Sequence, residues 1–189
     1  MVCIYIWGIK MNKDIQEVLI SEEQIKNAVE KIAKQIEKDF EGKEVLFVGL
    51  LKGSVAFMAD LLKAYTKTCT IDFMAVSSYG ASTQSSGRVN IIKDLSQPID
   101  GKDIVIVEDI IDSGNTLSFI KAYFNAKNAN SVKICTLLNK PDRRVVDIDV
   151  DYIGYDIPDE FVVGYGLDYA EMYRALPFVG VLKPEVYTK

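Results

Sequence analysis

The chain has 189 residues, 49% of them hydrophobic, with 27 acidic against 22 basic side chains and a formal charge of −5. That length suits one α/β domain with a proper core, and the hydrophobic share excludes global disorder. The acidic balance argues against a protein built mainly to grip nucleic acid.

Histidine is absent, so proton transfer near neutral pH falls to a carboxylate, lysine, tyrosine, cysteine or water. Cys3, Cys69 and Cys135 are odd in number and far apart, with no CxxC pair. They predict reduced thiols in a cytoplasmic protein rather than a zinc site, with Cys135 a core residue. Met1 to Ile9 is apolar but too short to span a bilayer, so no membrane association is expected. It lacks the basic start and the small-residue cleavage site of a signal peptide, and Met11 would make a natural start. Residues 1–14 therefore read as an extension ahead of a single domain over 15–189.

In chain order, Ser21-Glu22-Glu23-Gln24 fits a capping box. Ile25, Ala28, Val29, Ile32, Ile36 and Phe40 follow with helical spacing, and Gly42 suits the stop. Val45 to Leu50 reads as a buried strand, Lys52-Gly53-Ser54 as its turn, and Val55 to Tyr65 as a helix. Ile71 to Ser77 is the next strand. Tyr79 to Arg88, rich in Gly and Ser, is a polar loop before the extended Val89 to Lys93. Strands are predicted at Ile104–Val107 and Val132–Leu138, with a helix from Thr116 to Ala126 between them. Short strands follow near Tyr152–Tyr155, Phe161–Val163 and Val179–Leu182. Alternating strands and helices predict an α/β fold with a doubly wound, mainly parallel sheet, whose ligands sit beyond the carboxyl ends of the strands.

The most informative run is Val105 to Leu117. An apolar strand meets Glu108-Asp109, and then Asp112-Ser113-Gly114-Asn115-Thr116 turns into a helix. Backbone N–H groups at such a turn make a socket for a phosphate, and carboxylates beside it hold hydroxyls or a hard cation such as Mg²⁺. Taken alone, the acid pair would be a solvated turn and Asp112 a helix N-cap. Together they fit a phosphorylated ribose.

This run resembles the phosphoribosyl-pyrophosphate (PRPP) motif of the type I phosphoribosyltransferases, in the form found in their hypoxanthine-guanine branch. The resemblance extends from about Ile15 to Tyr187. It includes Gly49-Leu50-Leu51-Lys52-Gly53-Ser54, Ser77-Ser78-Tyr79-Gly80, Leu138 to Arg144 and Phe161 to Tyr169. It implies the type I fold with a small hood lobe formed from terminal segments.

It also implies roles. Glu108 and Asp109 would bind the ribose hydroxyls and Mg²⁺, and Asp112 to Thr116 the 5′-phosphate. Asp112 would also be the general base near N7 of the purine. Lys52, Gly53 and Arg174 would take pyrophosphate, with a cis peptide before Lys52. Ser78 and Tyr79 would open a lid over the reacting centre. Lys140 would donate to the 6-oxo group, Phe161 would stack on the base, and the Val162 backbone would read its edge. Asp168 would contact a second Mg²⁺ through water. Arg144 matches a basic position facing pyrophosphate or a neighbouring subunit, while Tyr169 and Tyr173 read as packing residues.

The activity so implied is transfer of 5-phosphoribose from PRPP to a 6-oxopurine, hypoxanthine or guanine, in cytoplasmic purine salvage by a homodimer or homotetramer. A xanthine-preferring transferase and an RNA-binding regulator of the same fold are the alternatives. The acidic balance and the Lys140/Phe161/Asp168 pocket count against the regulator.

Overall fold

The computed structural model describes residues 13–78 and 89–188. Its elements are β1 (Ile15–Ile20), α1 (Glu22–Asp39), β2 (Val45–Leu51), α2 (Val55–Ala64), β3 (Cys69–Ser78), β4 (Val89–Lys93), β5 (Asp103–Ile111), α3 (Asn115–Ala126), β6 (Ser131–Asn139), β7 (Tyr152–Asp156), β8 (Val162–Val163), β9 (Val179–Leu182) and α4 (Pro184–Tyr187). A 3₁₀ turn occupies Pro141–Arg143.

The uninterrupted apolar runs become the centre of a six-stranded sheet in the order β4-β3-β2-β5-β6-β7. All its pairings are parallel except that of the edge strand β4, which runs antiparallel to β3. Both faces are covered, so both sets of alternating side chains are apolar. Val45, Phe47, Val105, Val107 and Cys135 face Ile25, Val29, Ile32 and Ile36 of α1 and Phe57 and Leu61 of α2. Leu46, Val48, Ile104, Ile106 and Ile134 face Leu117, Ile120 and Phe124 of α3. Burying each of these large side chains stabilises the fold by about 1.5–3 kcal/mol before chain entropy is set against it.

The capping box forms as expected. Ser21 Oγ accepts from the Gln24 N–H at 3.3 Å, and Gln24 Oε1 accepts from the Ser21 N–H at 2.8 Å. Helix α1 ends at Asp39, and Gly42 takes the left-handed turn beyond it, with φ of +73°.

The anticipated hood is an antiparallel sheet in the order β1-β9-β8, which joins the two ends of the chain. Its own core is Ile15, Val163, Tyr173, Leu176 and Leu182, and the Tyr173 hydroxyl donates to Asp14 at 2.9 Å.

One strand is longer than its apolar run predicts. Strand β5 continues past Val107 to Ile111, because β6 keeps pairing with it in register, Glu108 with Thr136, Ile110 with Leu138 and Ile111 with Asn139. The acid pair thus lies within the strand. Among the described residues no helix is long and apolar enough to cross a membrane.

Candidate active site

Strand order reverses between β2 and β5: the chain leaves β2 toward β3 on one side and β5 toward β6 on the other. A crevice opens beyond the carboxyl ends of such a pair. The loops after β2, β5 and β6 meet there, and the loop after β8 packs against them: a Cβ added at Gly166 would stand 2.0 Å from the Gly53 carbonyl oxygen.

The acid pair is held in unfavourable surroundings. Burial, reinforced by the neighbouring Asp109 charge, pushes Glu108 well above the usual carboxylate range. Its Oε2 is buried without a hydrogen-bond partner among the described residues. Asp109 is 8% exposed, and burial raises its carboxyl to about 6 against the opposing pull of the Ile110 N–H and the Arg174 guanidinium. That N–H donates to Oδ1 at 2.8 Å. An acid oxygen left without a donor in a desolvated place, as Glu108 Oε2 is, calls for a cation or a hydroxyl. The two acids therefore fit a hard metal ion. Among the described residues no three His, Cys, Asp or Glu side chains gather closely enough to hold one. Part of its shell would have to be oxygen from a ligand or water, as is usual for Mg²⁺.

The turn after β5 is shaped by Gly114, whose φ of +84° suits glycine. A Cβ there would also lie 3.0 Å from Ile148 and Val146. Gly114 is the N-cap of α3, so Asp112 does not cap the helix as its position suggested. The Ser118 N–H bonds to the Gly114 carbonyl at 2.9 Å and the Asn115 N–H reaches Ser113 Oγ at 3.4 Å, while the Thr116 and Leu117 amides belong to the first turn, which has no carbonyl ahead of it to bond, at the positive end of the helix.

Arg144 braces this turn from behind. Its Nε donates to the Asp112 carbonyl at 3.1 Å, and its guanidinium also reaches Asn139 Oδ1 and the Ile148 carbonyl. Its donors are spent on these three acceptors, two carbonyls and the Asn139 side chain, which shape the loop. The separate 3₁₀ turn turns the chain back there, which residue spacing does not reveal.

Across the crevice, the Leu51–Lys52 peptide is cis, as the resemblance implied. Lys52 Nζ lies 3.0 Å from Glu171, whose Oε2 is also 3.5 Å from Arg174. Arg174 donates to the Gly166 carbonyl at 2.7 Å and pairs with Asp168 at 2.8 Å. Lys52, Gly53, Asp168 and Arg174 are thus brought together beside Asp109.

A second cleft, of about 370 Å³, adjoins the phosphate turn. Ile110, Asp112, Lys140, Asp159, Phe161 and Tyr187 are among its walls. Phe161 is 39% exposed and stacks on Tyr187 with ring centres 4.8 Å apart. Tyr169 meets Phe161 edge-on at 5.8 Å, consistent with a packing role. Val162 lies in β8, paired with Val181, and the neighbouring Phe161 carbonyl accepts from the Leu182 N–H. Lys140 is 8% exposed, with its ammonium 3.9 Å from Asp112 and 3.7 Å from Asp159. Sequence reasoning missed Ile110, Asp159 and Tyr187. Ile110 carried a usable signal, an apolar residue alternating with acids at a strand end. Asp159 and Tyr187 carried none.

Ser78 closes β3, while Tyr79 and the rest of the expected lid loop, through residue 88, fall outside the described residues, as does Cys3. Cys135 is fully buried, and burial pushes its thiol up, as befits core.

The fold and this crevice define a class. The family model for the phosphoribosyl transferase domain matches residues 19–170, and the chain belongs to that family. Within it, the hypoxanthine-guanine phosphoribosyltransferases of Streptococcus pyogenes and Streptococcus agalactiae are each 53% identical over 179 residues, 95% of this chain and 99% of theirs. A solved hypoxanthine phosphoribosyltransferase from Staphylococcus aureus matches with a TM-score of 0.92 at 51% identity, covering 95% of this chain and 98% of its own. A solved hypoxanthine-guanine phosphoribosyltransferase from Bacillus anthracis matches with a TM-score of 0.86 at 50% identity, covering 89% and 99%.

Proposed function

We propose that the protein transfers the 5-phosphoribosyl group of PRPP to N9 of hypoxanthine or guanine, giving IMP or GMP and pyrophosphate in purine salvage. The observation that carries this is the abutment of a phosphate turn, a desolvated acid pair and a base-sized cleft at one reversal point of the sheet.

In this reading the backbone amides of the Asp112–Thr116 turn take the 5′-phosphate, and Glu108 and Asp109 hold the ribose hydroxyls. Lys52, Gly53 and Arg174 receive the pyrophosphate, which requires Glu171 to yield its hold on the two cations. The base lies between Ile110 and Phe161, with the Val162 backbone at its edge and Lys140 donating to its 6-oxo group. Asp112 takes the purine proton. Mg²⁺, held by Glu108 and Asp109 with Asp168 as an outer contact, would neutralise charge on the departing pyrophosphate. Ser78 and Tyr79 begin the lid that keeps water from the developing sugar cation. The reading carries with it a cytoplasmic homodimer or homotetramer.

The test is a spectrophotometric assay with PRPP, Mg²⁺ and each of hypoxanthine, guanine, xanthine and adenine. Turnover of the first two, well above the others, is expected. A preference for xanthine, or no PRPP-dependent turnover of any base, overturns the reading.

A further inference from the structure

Resting on the reading just given, we propose that Asp159 is a positioning residue: it holds the Lys140 ammonium at the place where a 6-oxo group is recognised, and so helps select the base.

The Lys140 side chain is only 10% exposed, yet among the described residues its ammonium makes no hydrogen bond. Two carboxylates flank it instead, Asp112 at 3.9 Å and Asp159 at 3.7 Å, each just beyond direct bonding. An ammonium at the end of a largely buried side chain is steadied by a counter-charge, and three unspent donors facing the cleft need an acceptor. The gap between the flanking acids and the open side of the cleft supplies room for one.

The two acids differ in what they are free to do. Asp112 sits on the phosphate turn and is assigned the purine proton. A group that accepts a proton during the reaction loses its pull on Lys140 at that moment, so it cannot be the constant partner. Asp159 can. Its second oxygen is held by the Arg143 guanidinium at 3.5 Å, so that one carboxylate bridges two of the three cations of the loop after β6.

The backbone fixes Asp159 in turn. The Ile157 N–H donates to the Asn139 carbonyl at 2.8 Å, tying the segment to the residue before Lys140. Two residues beyond Asp159 comes Phe161, and its carbonyl accepts from the Leu182 N–H at 2.8 Å. The stacking ring and the anchor of the selecting lysine therefore lie on one short, doubly tethered stretch. Ring and ammonium keep a fixed offset, as recognition of a flat heterocycle with an oxygen at one edge requires.

A surface ion pair between Asp159 and Arg143 alone would explain an acid at this turn. It would not explain why the other oxygen turns inward to Lys140. Without Asp159, the nearest anion left to the ammonium is Asp112, and the donor is drawn away from the base.

The experiment compares IMP with purine riboside 5′-monophosphate, which lacks the 6-oxo group and with it the N1–H, by calorimetric dissociation constants for wild type, Asp159→Asn and Lys140→Ala. Wild type is expected to favour IMP. Asp159→Asn should weaken IMP about tenfold, the scale of a charged hydrogen bond, and change the 6-unsubstituted nucleotide less than twofold. Equal weakening of both nucleotides, or of neither, overturns the role of Asp159. If wild type and Lys140→Ala show the same lack of preference, the assignment of Lys140 fails instead. An unchanged melting temperature for Asp159→Asn confirms that the substitution, on a half-exposed side chain, leaves the fold intact.

Discussion

Gly53 and Asp109 meet so closely that no side chain fits between them: a Cβ built on Gly53 would stand 1.8 Å from Asp109 Oδ2. The loop after β2 and the acid at the end of β5 are thereby set against one another, backbone to carboxylate. Gly53→Ala must push either the loop or the acid aside. Misplacement by about 1 Å at a reacting centre costs on the order of 100-fold, so kcat/KM for PRPP should fall by about that factor. Wild-type kinetics in the alanine variant would show that the contact does not position the site.

The raised carboxyls make stability depend on pH in a definite direction. Asp109 has a folded value of about 6, above the 3.8 of the free side chain. The folded protein therefore binds more protons than the unfolded chain between these values. Stability is fully present below the lower value and is lost as pH rises through the upper one. The gap between the two values sets an upper scale of about 3 kcal/mol, with Glu108 acting in the same direction. Urea midpoints of the metal-free protein should fall between pH 4 and about 7, and Asp109→Asn should flatten that slope. A midpoint that rises across this window contradicts the assignment.

Asp112 lies at the mouth of the base cleft, exposed, with its carboxylate 3.9 Å from Lys140 and its carbonyl braced by Arg144. Asp112→Asn keeps the shape and removes the proton acceptor. Turnover should drop by about 10²- to 10⁴-fold, the usual contribution of a positioned acid or base, with IMP affinity little changed. Single-turnover kinetics beside a nucleotide titration read both quantities, and unchanged turnover would remove Asp112 from this role.

Arg144 acts on the phosphate turn only through its backbone. Arg144→Ala leaves the Asp112 and Ile148 carbonyls without that donor and should lower stability by about 2 kcal/mol. The KM for PRPP should rise about tenfold, since one such bond corresponds to roughly 1.4 kcal/mol. Arg144→Lys should recover little, because one ammonium cannot reach three diverging acceptors. A variant with normal stability and normal KM would show the brace to be idle.

Much of this was legible in the linear chain. Apolar runs bounded by turn residues gave the parallel strands, and the capping box gave the start of α1. The order of acids, serine, glycine and threonine after β5 identified a phosphate turn, because such sites are built by one short contiguous segment with its own backbone preferences. The family resemblance then supplied roles for residues whose types alone were ambiguous, among them Lys140 and Asp168.

What the chain could not disclose is set by partners distant in sequence. The length of β5 depends on β6 continuing beside it, not on its own polarity. Arg144 turned inward because the 3₁₀ turn Pro141–Arg143 aims it at the Asp112 carbonyl, while the family position it matches implied pyrophosphate or a neighbouring subunit. Asp159 became a neighbour of Lys140 only when β7 aligned with β6 and the segment following it was tied to Asn139. Local backbone preference and apolar periodicity act over a few residues and can be read in order. Desolvation and charge pairing act through space, and only the folded arrangement decides which groups they join.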